Sequence, residues 1–237
     1  RIMKKLTVAI IHARGGSKRI PRKNIKDFHG KPAIAYPIDA ALRSGVFDRV
    51  VVSTDDEEIM EVSRAYGAEA PYKRSPDLAD DIAPTDNVLI KDIQILKKEC
   101  VLENVCCIYG TSVFLQAQYL IDAQKKLTQG SYDSIVSVTD FDFHPLRGFT
   151  EDEQGNVAMM FPEYRYTRSQ DLPKMFHDAG QFYFVKVGDF LSKGKVFSEN
   201  MGVYHIPHHM VADIDTMEDW YRAEMIYKLI IENGEVE

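Results

Sequence analysis

Arg14, Lys18, Arg19, Arg22, Lys23 and Lys26 crowd one short stretch with no carboxylate among them, in a chain whose 36 acidic and 29 basic residues give a formal net charge of −7. A local run of cations on an acidic protein suits a polyanion, and the natural candidate is a polyphosphate. Gly15 and Gly16 open the stretch, where the lack of a Cβ allows a tight turn and close backbone approach to a ligand. Ala13, Ser17 and Asn24 add small or polar neighbours, and Pro21 and Pro32 stiffen the segment. A second centre, Asp213-Ile-Asp215, lies near the other end. On extended backbone, residues two apart face the same side. Converging carboxylates repel unless a cation lies between them, and a hard, partly hydrated divalent ion shared with phosphates answers that need. Asp215 can also serve as cap to the helix that follows.

The elements that must hold these residues can be read from the pattern. Residues 6–12 form an apolar, β-branched run, which reads as a buried strand of a parallel sheet. The cationic loop therefore leaves a C-terminal strand end, the edge where open α/β sheets bind ligands. Residues 33–43 carry helical spacing and stop near Gly45. Residues 50–54 read as the second strand, with Ser53, Thr54 and Asp55 at its edge as caps or ligand contacts and Glu57 and Glu58 leading a helix. A short strand over 69–72 would deliver Arg74. Thr85 has the chemistry to N-cap a helix reaching about Cys100, and its hydroxyl could also face a base. Residues 104–109, 135–138 and 180–185 read as further strands, and 217–231 as an amphipathic helix. Gln181 lies within one of those strands, so its amide needs either a ligand hydroxyl or backbone as partner.

The alternation predicts one α/β domain over residues 3–237 with a mostly parallel sheet. Residues 141–175 break the pattern with aromatics, proline and charge, around a hairpin-like turn at 151–155. A structureless loop of that length is unusual in a compact domain, so the stretch should hold its own strands. Phe141, Phe143, Phe149, Met159, Met160 and Phe161 in it call for burial.

Several function classes fall away. Neither Gly-x-x-x-x-Gly-Lys-Ser/Thr nor a strand-linked Gly-x-Gly-x-x-Gly is present, which argues against a P-loop ATPase or a dinucleotide dehydrogenase. The acidic balance argues against a nucleic-acid partner. No segment is apolar for long enough to span a membrane, and no apolar signal core follows the N-terminus. Cys100, Cys106 and Cys107 are odd in number and lack metal-ligand spacing, so a reduced, cytoplasmic compartment is expected. His205, His208 and His209 read as surface residues rather than a zinc site.

Ala13-Arg-Gly-Gly-Ser-Lys-Arg-Ile-Pro-Arg-Lys-Asn24, with Gly30-Lys-Pro32, resembles the N-terminal signature of the acylneuraminate, or nonulosonic acid, cytidylyltransferases, the CMP-sialic acid synthetase family. The similarity continues through Val50-Val-Val-Ser-Thr-Asp55, Arg74-Ser-Pro-Asp-Leu-Ala-Asp-Asp81, His177-Asp-Ala-Gly-Gln-Phe-Tyr183 and Asp213-Ile-Asp215, nearly the whole chain. It implies a three-layer, Rossmann-like fold of the nucleotide-diphospho-sugar transferase kind, with 141–175 as a dimerisation arm and a homodimer as the assembly. The implied reaction moves CMP from CTP to the C2 hydroxyl of a nine-carbon sugar acid and releases pyrophosphate.

The implied nucleotide contacts are Ala13, Arg14, Gly15, Gly16, Ser17, Asn24, Arg74 and Thr85. Arg14, Lys18, Lys23 and Asp215 would be catalytic, and Asp213 with Asp215 would hold Mg²⁺. Tyr109, Thr111, His177, Gln181 and Phe197 would meet the sugar, the region of Val196 and Phe197 reaching across the subunit interface. The base for the attacking hydroxyl stays open between Asp215 and a metal-held water.

Tyr109-Gly110 stands where sialic acid members of the family have Gln-Pro, and His177 where they often have Arg. These departures resemble the pseudaminic acid branch. N-acetylneuraminic, legionaminic and 3-deoxy-manno-octulosonic acids are the alternative acceptors, and a non-catalytic nucleotide-binding regulator is the alternative of another class.

Overall fold

The computed structural model describes residues 4–79 and 83–234. In chain order its elements are β1 (Lys5–His12), the two-residue strands β2 (Asp27–Phe28) and β3 (Lys31–Pro32), α1 (Ala35–Ser44), β4 (Arg49–Ser53), α2 (Glu57–Ala65), α3 (Thr85–Leu96), β5 (Val101–Tyr109), α4 (Ala117–Gln129) and β6 (Ser134–Asp140). The small strands β7 (Phe149–Glu151) and β8 (Val157–Met159) follow, then β9 (Phe176–Lys186), α5 (Val187–Lys193), β10 (Met201–His205) and α6 (Met217–Glu232).

Six strands form one sheet in the order β10-β6-β9-β5-β1-β4. All its ladders are parallel except those of β9, which runs antiparallel to both β5 and β6. The chain is therefore α/β with a mostly parallel sheet. Because β9 alone is reversed, its N-terminal end lies at the edge where the other strands have their C-terminal ends.

Continuous aliphatic runs let each central strand bury both faces. Ile11, Val52 and Phe184 on one face pack with Trp220 and Tyr227 of α6 and with α1 and α4. Val8, Ile10, Val51 and Cys107 on the other pack with Leu89, Ile93 and Leu96 of α3 and Phe190 of α5. At about 1.5–3 kcal/mol per fully buried large aliphatic or aromatic side chain, these two layers fix the strand ends that carry the chemistry. The cysteines are free, Cys106 and Cys107 buried on opposite faces.

Local differences from the sequence reading have physical causes. The expected strand over 69–72 is absent: residues 69–73 make only isolated bridges, Glu69 with Val51 and Lys73 with Thr54, before Arg74. The α2 cap is Asp56, which accepts from the Ile59 N–H, while Asp55 turns away to accept from the Gly15 N–H at 2.8 Å. Pro84, not Thr85, occupies the cap position of α3, and the Thr85 side chain bonds to a tyrosine hydroxyl rather than to backbone. Thr216 caps α6 in a reciprocal capping box with Asp219, which leaves Asp215 outside the cap. Helix α1 begins at Ala35, because Lys31 and Pro32 pair with β2 first.

Between β6 and β9, β7 and β8 form an antiparallel hairpin whose turn is held by Asp152, accepting from the N–H groups of Gln154 and Asn156 at 2.9 Å. The Arg147 guanidinium gathers the carbonyls of Tyr164, Arg165 and Thr167. Phe143, Phe149 and Met160 are 88%, 68% and 56% exposed, so this chain alone does not cover them.

Candidate active site

His12, Ser53 and Tyr109 stand in one row across β1, β4 and β5 at the sheet's C-terminal edge. Below them a cavity of about 240 Å³ is lined by His12, Arg14, Ser17, Lys23, Asn24, Arg74, Thr85, Tyr109, Gly110 and Thr111, among others. A second hollow, of about 340 Å³, is lined by Arg14, Ser17, Lys18, Arg19, Lys23 and Asp215. A third, of about 490 Å³, includes Phe141, His177, His208, Asp213, Asp215 and Arg222. Arg14, Ser17 and Lys23 are common to the first two, and Asp215 to the last two, so the hollows form one path from the β1–β5 edge to the arm.

The six cations of the loop do not share one task. Arg22 pairs with Asp56 and Glu58 on α2, a bond that pulls the Asp56 carboxyl below its ordinary range. Its backbone takes a left-handed conformation at φ 57°, and the pairing anchors the loop rather than lining a hollow. Lys26 lies 5.5 Å from the centre of the Trp220 ring. Arg14, Lys18, Arg19 and Lys23 line the second hollow.

Lys23 is the pivot. Its Nζ donates to the Ile214 carbonyl at 2.6 Å and lies 3.8 Å from Asp215 Oδ1, which Arg19 Nη2 also approaches at 3.2 Å. Desolvation lowers the Lys23 ammonium below the ordinary lysine value, while Asp215 and Asp213 oppose the shift. Ile214 is buried, and the aspartates on either side of it line the third hollow. Desolvation and then the Asp215 charge raise the Asp213 carboxyl, with Lys23 opposing. Among the described residues no three His, Cys, Asp or Glu side chains are placed to hold a metal ion. The aspartate pair thus fits an ion that takes one or two carboxylates and keeps other sites for water and phosphate, as Mg²⁺ does.

The glycines act from behind. Ala13 is buried, Gly15 spends its N–H on Asp55, and neither these two nor Gly16 lines a hollow. A Cβ on Gly15 would sit 2.7 Å from Asp56 Oδ2, so glycine lets the loop close on α2. Gly110 has a similar reason: a Cβ there would fall 2.5 Å from Asn24 Oδ1 and 2.9 Å from the His12 carbonyl. Asn24, buried, donates to the Arg14 carbonyl at 2.9 Å and so ties the loop's two halves together.

The residues expected at the sugar separate. Tyr109 and Thr111 line the first cavity and His177 the third. Gln181 is 3% exposed, donates from Nε2 to the Met210 carbonyl at 2.7 Å, and leaves Oε1 without a protein partner. Phe197 is exposed and packs edge-on against Tyr183, with ring centres 5.7 Å apart.

Two networks escaped the sequence reading. Asp92 on α3, 2% exposed, accepts from Ser53 Oγ at 2.7 Å and Tyr72 OH at 3.0 Å, with His12 Nε2 at 2.9 Å. Ser53 in turn holds the buried Arg74, through Oγ to Nε at 3.3 Å and through its carbonyl to Nη2 at 2.9 Å. The sequence signal was a carboxylate at helical spacing among Val88, Leu89, Ile93 and Leu96, on the apolar face of α3. The second network joins Thr85, Tyr109, Tyr183 and Asp178.

The cationic loop and the paired aspartates meet at one edge of a six-stranded α/β sheet, and residues 8–229 fit the cytidylyltransferase model, so the chain belongs to that family of nucleotidyltransferases. Among its relatives, the pseudaminic acid cytidylyltransferase of Campylobacter jejuni is 43% identical over 94% of this chain and 96% of its own length. The CMP-N,N'-diacetyllegionaminic acid synthase of Legionella pneumophila is 32% identical over 94% and 96%. The fold is also that of a CMP:2-keto-3-deoxy-manno-octonic acid synthetase solved with CTP, at a TM-score of 0.68 and 15% identity over 95% of this chain and 99% of that one.

Proposed function

We propose that the protein transfers CMP from CTP to the C2 hydroxyl of a nonulosonic acid, with pseudaminic acid as the acceptor, and releases pyrophosphate. The path of three hollows carries this reading, because it offers a walled cavity, a cluster of cations and a roomier hollow in the order that base, phosphates and sugar acid require. The 43% identity to a pseudaminic acid cytidylyltransferase supports the acceptor.

The attacking oxygen forms a bond to the α-phosphorus as the bond to the bridging oxygen of pyrophosphate breaks, so charge grows on the phosphates. Arg14, Lys18 and Lys23 line the hollow where that charge would develop, and preorganised cations there stabilise it without reorganisation. Arg74, Asn24 and Thr85 hold the nucleoside in the first cavity. His177 and the Phe141 side of the third hollow receive the sugar acid. Asp213 and Asp215 would hold Mg²⁺, which when bound shields the phosphate charge. The exposed Phe143, Phe149 and Met160 support an arm that packs on a second copy of the chain in a two-fold dimer. No described helix is long and apolar enough to cross a membrane.

Pyrophosphate release with CTP and a panel of sugar acids tests the reading. Release with pseudaminic acid is the expected result, and no release with any nonulosonic acid would overturn it.

A further inference from the structure

Thr85 and Arg74 line the same cavity, and each ends a hydrogen-bond chain that starts at a carboxylate. The Asp178 side chain accepts through both of its oxygens. Its Oδ1 takes the Gly180 N–H at 2.8 Å and its Oδ2 takes the Tyr183 hydroxyl. With its proton spent, Tyr183 can only accept from Tyr109, whose hydroxyl is 3.2 Å away. Tyr109 then accepts from Thr85 at 3.3 Å. A hydroxyl carries one proton, so one carboxylate sets the direction of all three bonds. Burial raises both phenols above their ordinary range, which keeps each proton in place for this role. Thr85 therefore shows the cavity lone pairs only.

Arg74 is the opposite case. Ser53 donates to Asp92 and so meets the guanidinium as an acceptor, and a guanidinium can only donate. The cavity thus holds a fixed acceptor and a fixed donor.

We propose that Asp178, acting through Tyr183 and Tyr109, is a positioning residue that makes Thr85 an acceptor and thereby selects cytosine over uracil. The proposal rests on the reading that this cavity takes the base of CTP. Cytosine brings an amino group to Thr85 and ring acceptors to Arg74. Uracil brings a carbonyl and a ring N–H, each the wrong partner, and mismatched buried polar groups discriminate strongly.

The test compares kcat/KM for CTP and UTP in the wild type and in Asp178→Asn, Tyr183→Phe and the double variant. In Asp178→Asn the amide oxygen can keep the Gly180 N–H while the amide nitrogen donates to Tyr183, which reverses the chain and turns the Thr85 proton into the cavity. The CTP-over-UTP ratio should fall at least tenfold in Asp178→Asn, and Tyr183→Phe should remove any further effect of that change. An equal loss with both nucleotides, as damaged packing would give, overturns the proposal. Titration calorimetry with CTP and UTP supplies the same ratio for variants too slow to assay, and an unchanged binding ratio overturns the proposal equally. Wild-type protein that binds CTP selectively but transfers CMP to no sugar acid would sink the functional reading alone.

Discussion

The Lys23 ammonium donates to the carbonyl of Ile214, 191 positions along the chain, at 2.6 Å. This bond joins the cationic loop after β1 to the aspartate pair before α6. Loss of the lysine should therefore cost turnover rather than only affinity: Lys23→Ala should lower kcat by about 10²-fold or more, by analogy with loss of a preorganised donor. Steady-state kinetics decide it, and a raised KM with unchanged kcat would mean that Lys23 binds ground and transition states alike.

The same residue sets a pH limb. On the proposed reading Lys23 works as a cation, and desolvation lowers its pKa, so the charged form is lost as pH rises through a value below that of a free lysine. In kcat/KM, which reports the free enzyme, activity should fall on the alkaline side, and Lys23→Arg should move that limb upward because a guanidinium stays charged. An alkaline limb that does not move would assign it to another group.

Metal removal should stop the reaction. Chelation should abolish pyrophosphate release, Mg²⁺ should restore it, and Asp213→Asn should lose both activity and the response to Mg²⁺. Full activity of Asp213→Asn would remove the metal assignment.

Gly110→Ala should destabilise the protein by about 1–3 kcal/mol, lowering Tm by about 2–4 °C per kcal/mol, because its Cβ would press on Asn24 and the His12 carbonyl. Gly16→Ala should be tolerated, since nothing lies within 4 Å of a Cβ there. Thermal melts of the two variants compare a crowded glycine with an open one.

The first strand, its loop and the aspartate pair were legible because each is written locally, as an apolar β-branched run, a Gly-Gly turn with cations, and carboxylates two apart. Asp56 rather than Asp55 caps α2 although either aspartate can cap a helix, and only the approach of Gly15 across 40 positions draws Asp55 away. The strand expected at 69–72 failed because its backbone meets β4 only at isolated bridges. The Tyr109–Tyr183 contact spans 74 positions and depends on β9 running antiparallel to β5, a reversal that strand periodicity does not encode. Asp92 was the missed opportunity, since a carboxylate on the apolar stripe of a helix must find buried donors.

The acceptor is the central claim, and one competition measures it. Pseudaminic acid and N-acetylneuraminic acid, supplied together at equal concentration with CTP and Mg²⁺, give the ratio of their kcat/KM values from the two CMP-sugars formed. His177, beside Phe141 with ring centres 4.8 Å apart, lines the hollow proposed for the sugar acid, where an aromatic wall suits an acceptor with a deoxy carbon better than a hydroxylated tail. The ratio should favour pseudaminic acid by tenfold or more, about 1.4 kcal/mol, and a product mixture dominated by CMP-N-acetylneuraminic acid would contradict the account.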